Sequence, residues 1–250
     1  MGRQGFTALL LAAMILGTQS TFAGEIAPLP RRRPPAIDAK SVPSQPVSAT
    51  PGDHRQPLTV PLADDAPCLA RLRNLGTHFE RPVTTNHTNS ACVIEVAVRL
   101  KSITARAPAP TNIRLSEEPI VSCEFAERFS DFLAMVAPLV KGRTSADLTS
   151  VHTGPGYECR NRNGLPAGKL SAHAQGRALD ISSFELSTGA SVPVRPNSDD
   201  TTQEVVGAVR TAACGWFTTV LGPGSDSYHT DHMHVDLLMH GSSDRYRICE

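Results

Sequence analysis

Two stretches decide how this chain folds: Ser171-Ala172-His173-Ala174-Gln175-Gly176-Arg177-Ala178-Leu179-Asp180, and downstream His229-Thr230-Asp231-His232-Met233-His234-Val235-Asp236. In the second, His232, His234 and Asp236 alternate with Met233, Val235 and Leu237, which is the period of a β-strand with one apolar face. The two histidines and Asp236 then project to one side, toward a cleft, while the apolar residues enter the core. In the first, Gly176 offers a tight bend after His173, and Ala178-Leu179-Asp180-Ile181 resumes an extended pattern. His173 and Asp180 would face each other across a turn into a strand. These short segments hold four of the nine histidines, a concentration that points to metal binding rather than to ordinary surface histidines.

The elements around them set the fold class. Between Glu124 and Val140, apolar residues fall at Phe125, Phe129, Phe132, Leu133 and Val136 with Glu127, Arg128 and Asp131 between them, the spacing of a helix with a buried stripe. Asp147 to Thr153 reads as a short strand broken by Gly154-Pro155-Gly156. A second helix is predicted over Thr202 to Ala213, with Thr201 and Glu204 spaced as a capping box and Val205, Val206 and Val209 as its apolar face. Trp216 to Leu221 reads as a strand, Gly222-Pro223-Gly224 as a turn, and His229 to Leu238 as the next extended segment. No internal repeat is visible. The pattern predicts an α+β domain: a small central antiparallel sheet flanked by helices, with the metal site on the sheet.

Composition and compartment narrow the function. Lysine plus arginine equals aspartate plus glutamate at 24 each, so no basic field points to nucleic acid. Residues 1–23 read as a signal peptide: Arg3, an apolar run from Phe6 to Leu16, then small and polar residues ending at Ala23. That run is shorter than the ~20 apolar residues of a membrane-spanning helix, so no stable membrane insertion is expected after cleavage. Residues 24–67 hold about half of the 20 prolines and read as a disordered linker, whose Arg31-Arg32-Arg33 is solvated charge. Residues 68–250 remain as the folded domain. Its six cysteines include no CxxC pair, and an even number in an exported chain reads as disulfides. Cys214 with Cys249 is the pairing the layout favours, because it ties the last helix to the C-terminal tail.

Two histidines and one carboxylate suit zinc and leave a fourth position for water; a closed structural site would need one more protein ligand, for which His232 is a candidate. The ordered pattern Ser-x-His-x-x-Gly-x-Ala-x-Asp followed by His-x-His resembles the metallopeptidase clan that includes lysostaphin, D-Ala-D-Ala carboxypeptidases and the hedgehog signalling domain. With Tyr157-Glu158-Cys159-Arg160-Asn161, Val220-Leu221-Gly222-Pro223-Gly224 and His-x-Asp-His-x-His-x-Asp, the chain from Cys68 to Cys249 more closely resembles the bacterial extensin-like C-terminal domain family. The resemblance implies zinc on His173, Asp180 and His234. It offers alternative general bases: Asp231, three residues before His234, or His232, the first histidine of His-x-His. Strand alternation favours His232, which shares a face with His234, although a bend at the strand's start would bring Asp231 in. Either would take a proton from water activated at the metal. Arg160, in a stretch similar to Ser-Gly-Tyr-Arg of the carboxypeptidases, is the implied oxyanion stabiliser. Tyr157 and His229 are candidate substrate contacts.

The expected function is therefore that of a zinc metallopeptidase, a peptidoglycan hydrolase cleaving a peptide bond in stem peptides or cross-links, with endopeptidase favoured over carboxypeptidase action. The expected setting is an exported, periplasmic monomer. The alternative is a non-catalytic, zinc-containing wall-binding or signalling module.

Overall fold

The computed structural model describes residues 67–82, 90–106, 110–196, 199–242 and 245–250. The expected signal peptide and nearly all of the expected linker lie outside them. Helix α1 (Pro67–Asn74) opens on a proline, whose missing N–H is harmless in a helix's first turn. Strands β1 (Thr77–Glu80), β2 (Ala97–Ala105), β3 (Thr111–Leu115) and β4 (Ile120–Ser122) follow, then α2 (Cys123–Thr144) and β5 (Leu148–Thr153). The second half comprises β6 (Ala178–Leu186), β7 (Ser191–Pro193), α3 (Asp200–Trp216), β8 (Thr219–Leu221), β9 (Met233–Asp236) and β10 (Ile248–Cys249).

These elements form an α+β fold in which the described strands make one ten-stranded sheet, ordered β1-β2-β3-β5-β6-β9-β8-β10, with β4 paired to β2 and β7 to β6. The sheet is larger than the small antiparallel one expected, and it is mixed: β3 pairs parallel with β5, and β8 with β10. Parallel neighbours need a long crossover, and the 22-residue α2 lies in the connection between β3 and β5. The tail strand β10 is tied to α3 by the disulfide Cys214–Cys249, the pairing expected from the layout. Cys68–Cys123 and Cys92–Cys159 complete three disulfides, and none of the six cysteines is free.

The predicted stripe of α2 is the heart of the core. Phe125, Phe129, Phe132, Leu133 and Val136 have no solvent exposure, and Phe217, just beyond α3, packs edge-on against Phe132 with ring centroids 5.2 Å apart. Burying each such side chain is worth about 1.5–3 kcal/mol. Ser122 caps α2 by accepting the Phe125 N–H, and the helix stops at Ser145, whose positive φ of 58° ends the repeat.

Helix α3 extends beyond its expected span at both ends. Its cap is Asp199 rather than Thr201: the Asp199 carboxylate accepts both the N–H and the hydroxyl of Thr202, at 3.0 and 2.7 Å. A carboxylate at the positive end of the helix outcompetes a hydroxyl inside its first turn. At the other end Trp216 closes the helix instead of opening a strand. Of the extended segment expected over His229 to Leu238, only Met233–Asp236 is paired.

Candidate metal centre

The centre lies where β6 meets β9. These strands pair antiparallel with Asp180 opposite His234, Leu179 opposite Val235 and Ala178 opposite Asp236. Direct cross-strand partners have side chains on the same face, so the register alone brings the carboxylate to the imidazole. The third group, His173, arrives on a 3-10 turn, Ala172–Gln175, that ends just before β6. Ser171 opens that turn by accepting the His173 N–H, and Gly176 closes it with φ of 62°. A Cβ at Gly176 would collide with the Ile94 side chain and stand 2.8 Å from the Ser122 nitrogen, so only glycine fits the bend.

His173, Asp180 and His234 form a group whose ligand atoms all lie within 4.8 Å of one another. Asp180 Oδ1 is 2.9 Å from His234 Nδ1, Asp180 Oδ2 is 3.3 Å from His173 Nε2, and the two ring nitrogens are 3.2 Å apart. Ligands of a tetrahedral zinc, at roughly 2.0–2.1 Å from the ion, stand about 3.3 Å from each other. The donor set and its spacing therefore fit a zinc-sized cation.

The tautomers fit as well. His173 Nδ1–H donates to the Gly156 carbonyl at 2.7 Å, which leaves the Nε2 lone pair facing the cluster. Gly156 can present that carbonyl because its backbone, at φ of 80°, runs so close to β4 that a Cβ would lie 2.5 Å from the Ile120 oxygen. His234 is turned the other way: Nε2–H points to Asp236 Oδ2 at 3.3 Å, leaving Nδ1 toward the cluster.

The electrostatics favour a cation here. In the absence of a metal, burial would raise the Asp180 carboxyl, but hydrogen bonds from His173 and His234 and their charges outweigh it and hold Asp180 well below the carboxylate range. Burial would lower His234, but hydrogen bonds to Asp180 and Asp236 and their negative charges raise it to about 9. The same negative charge, from Asp180 and Asp236, suits a cation beside the ring.

Around the cluster opens a cavity of about 470 Å³ lined by His173, Asp180 and His234 and by Arg160, His229 and His232. That volume is within the range of small-ligand sites. His232 stands just before β9, yet its Nε2 reaches to 3.8 Å from Asp180 Oδ1, while its Nδ1–H donates to Asp231 Oδ1 at 2.9 Å. The Asp231 side chain is 79% exposed and lies outside the cavity lining. The two candidate bases are thus not equivalent: one faces the cluster and the other holds it from behind. His229 likewise donates from Nδ1 to Asp226 Oδ1 at 2.7 Å, and its ring lies 5.6 Å from that of His234.

Arg160 lines the cavity with its Nε donating to Glu158 Oε2 at 3.0 Å. Its neighbour Cys159 is bonded to Cys92, which anchors the arginine's loop to the body of the fold. Tyr157 does not line the cavity. Its hydroxyl donates to the Cys92 carbonyl at 2.7 Å, which ties it to the support of that loop.

Asp226 and Asp236 received no role from sequence. Asp236 was visible as the next residue on the histidine face of the strand, whereas Asp226 reaches His229 through a turn, Gly222 to Tyr228, that has no readable periodicity.

Among the described residues no helix is long and apolar enough to cross a membrane. The three disulfides suit an oxidising extracellular or periplasmic compartment. In comparisons with known proteins, no curated protein and no solved structure matched the chain. One family did match, over residues 66–250, a span that takes in the sheet, all six cysteines and the His173/Asp180/His234 group: the chain belongs to the extensin-like protein C-terminus family.

Proposed function

We propose that this domain is a zinc-dependent peptidoglycan hydrolase that cuts a peptide bond in stem peptides or cross-links, as an endopeptidase rather than a carboxypeptidase, in the periplasm of the exporting cell. The observation that carries the reading is His232: its ring is held by Asp231 so that Nε2 faces the three-ligand cluster inside an open cavity. A base held there stands where proton transfer from metal-activated water would require it.

When bound at His173, Asp180 and His234, zinc supplies Lewis acidity, activating water and polarising the peptide carbonyl. His232 acts as general base through Nε2, accepting a proton from water and later returning it to the departing amine. Asp231, hydrogen-bonded to Nδ1–H, stabilises the imidazolium that forms between those steps. Arg160 offers positive charge to the developing oxyanion from the cavity wall. His229, fixed by Asp226, contacts the substrate from the opposite loop. Tyr157 and the Cys92–Cys159 disulfide keep the Arg160 loop in register with these groups.

The competing reading is a wall-binding or signalling module whose metal is structural, closed by His232 as fourth ligand. The Nε2 of His232 is near enough to Asp180 to make this arrangement worth testing. Incubation of the zinc-loaded protein with purified sacculi, followed by mass analysis of released muropeptides, separates the two. Hydrolysis predicts new peptide termini that disappear with His232→Ala while zinc content is retained. A structural metal predicts no new termini and a loss of zinc in that variant.

A further inference from the structure

Three histidines around the centre each have an aspartate partner, and the partners differ in exposure. The carboxylates of Asp226 and Asp231 are 41% and 79% exposed, whereas that of Asp236 is 7% exposed. Asp236 is also anchored from behind. Its Oδ1 accepts the Leu238 N–H at 2.9 Å and lies 3.3 Å from the Thr218 hydroxyl, while Oδ2 faces His234 Nε2. A side chain tied in this way lines the same cavity but meets His234 at Nε2, the ring nitrogen other than the one that faces Asp180.

We infer that Asp236 is the positioning residue of the metal centre: it holds the Nε2–H form of His234, so that this histidine ligates through Nδ1 while His173 ligates through Nε2. Three observations support the assignment. The strand register sets Asp180 directly opposite His234, and Nδ1 is the ring nitrogen within 2.9 Å of that carboxylate. The Asp236 carboxylate sits two residues further along β9, on the same face, where it meets the ring's other nitrogen. Its burial removes the water that would weaken the bond, so the carboxylate both orients the ring and increases its donor strength toward a cation. Asp226 and Asp231, open to solvent, orient cavity-facing rings without comparable leverage on the ligand set.

The inference rests on the metal-site reading and is independent of peptide hydrolysis. Its test uses the whole mature protein. Long-range proton–nitrogen spectra of the zinc-loaded wild type are expected to show His234 as the Nε2–H tautomer with Nδ1 shifted by the metal, and His173 as the reverse. In a competition titration, Asp236→Asn is expected to weaken zinc binding 10–100-fold, and Asp236→Ala more, with the thermal unfolding of chelator-treated protein serving as a folding control. A His234 that binds zinc through Nε2, or an Asp236→Asn variant that folds and binds zinc as tightly as wild type, overturns the inference while leaving the metal site standing. A wild type that binds no zinc overturns the metal site and the inference together. Failure to cut sacculi bears on the proposed function alone.

Discussion

Replacing Gly176 with alanine tests how tightly the fold holds His173. The residue sits at φ of 62°, where a side chain costs about 1–2 kcal/mol. The added Cβ would also stand 2.8 Å from the Ser122 backbone nitrogen and collide with the Ile94 side chain. Ile94 can move, but Ser122 caps α2 and donates its N–H to the Gly176 carbonyl at 2.7 Å, so the backbone contact cannot relax without moving the helix start. Overpacking of this kind costs about 1–3 kcal/mol. Together the terms predict a loss of roughly 2–5 kcal/mol, a large part of a typical stability of about 5–15 kcal/mol. Because the Gly176 N–H also bonds the His173 carbonyl at 3.0 Å, zinc affinity should fall as well. Urea unfolding of chelator-treated protein gives the first quantity and a zinc competition titration the second. Gly142→Ala is the control: that glycine lies in α2 with nothing within 4 Å of the added carbon, and the change should stabilise by up to about 1 kcal/mol. A Gly176→Ala loss below about 0.5 kcal/mol, the size of an ordinary surface change, would refute the reasoning.

The remaining predictions concern the base, the pH response and a disulfide. His232→Ala should lower the rate of peptide cleavage by about 10²–10⁴-fold with zinc content unchanged, whereas Asp231→Asn should cost less, because it removes only the ring's support; equal, full activity in both would remove the assignment. In chelator-treated protein, His234 is raised from its ordinary 6.5 to about 9, so its contribution to stability is complete below about pH 6.5 and lost as pH rises through about 9. Zinc needs the deprotonated ring, so apparent zinc affinity should rise over that same window, and melting curves with and without zinc should diverge as pH increases. Asp180, held low, contributes above its ordinary value of 3.8 and loses that contribution as pH falls below it. Replacing Cys92 and Cys159 by alanine removes a crosslink spanning 67 residues, worth about 4 kcal/mol in the chain-entropy model; a melt lowered by several degrees, with cleavage reduced through the loosened Arg160 loop, is the expected result.

Legibility followed the range of the forces involved. The stripe of α2 could be read because helical burial repeats within a few residues, and Phe125, Phe129 and Phe132 are its largest fully buried side chains. Strand alternation and the glycine bend, both local, made a cluster of possible metal ligands legible, and the family resemblance singled out His173, Asp180 and His234 among them. The parallel pairing of β3 with β5 was not legible: it depends on α2 crossing over the sheet, and no short pattern records that. Strand β2 was hidden for a different reason: Val98-Arg99-Leu100-Lys101 and Ser102-Ile103-Thr104-Ala105 each alternate, but out of phase, so no single apolar face runs the length of the strand. Asp199 escaped as a cap because Thr201 and Glu204 match a stronger written motif, while the winning bond joins Asp199 to Thr202. The roles of Asp231 and His232 stayed open because their mutual bond forms at the entrance to β9, where alternation has not yet begun.

In the proposed function, His173, Asp180 and His234 hold a zinc ion that works with His232 to cut wall peptide. Protein stripped by a chelator and titrated with zinc, with bound metal and muropeptide release followed in the same samples, tests it most directly. Release should rise in step with the first equivalent bound and be lost in His173→Ala and Asp180→Ala. Release from metal-free protein, or full zinc binding with no release at any loading, would contradict it.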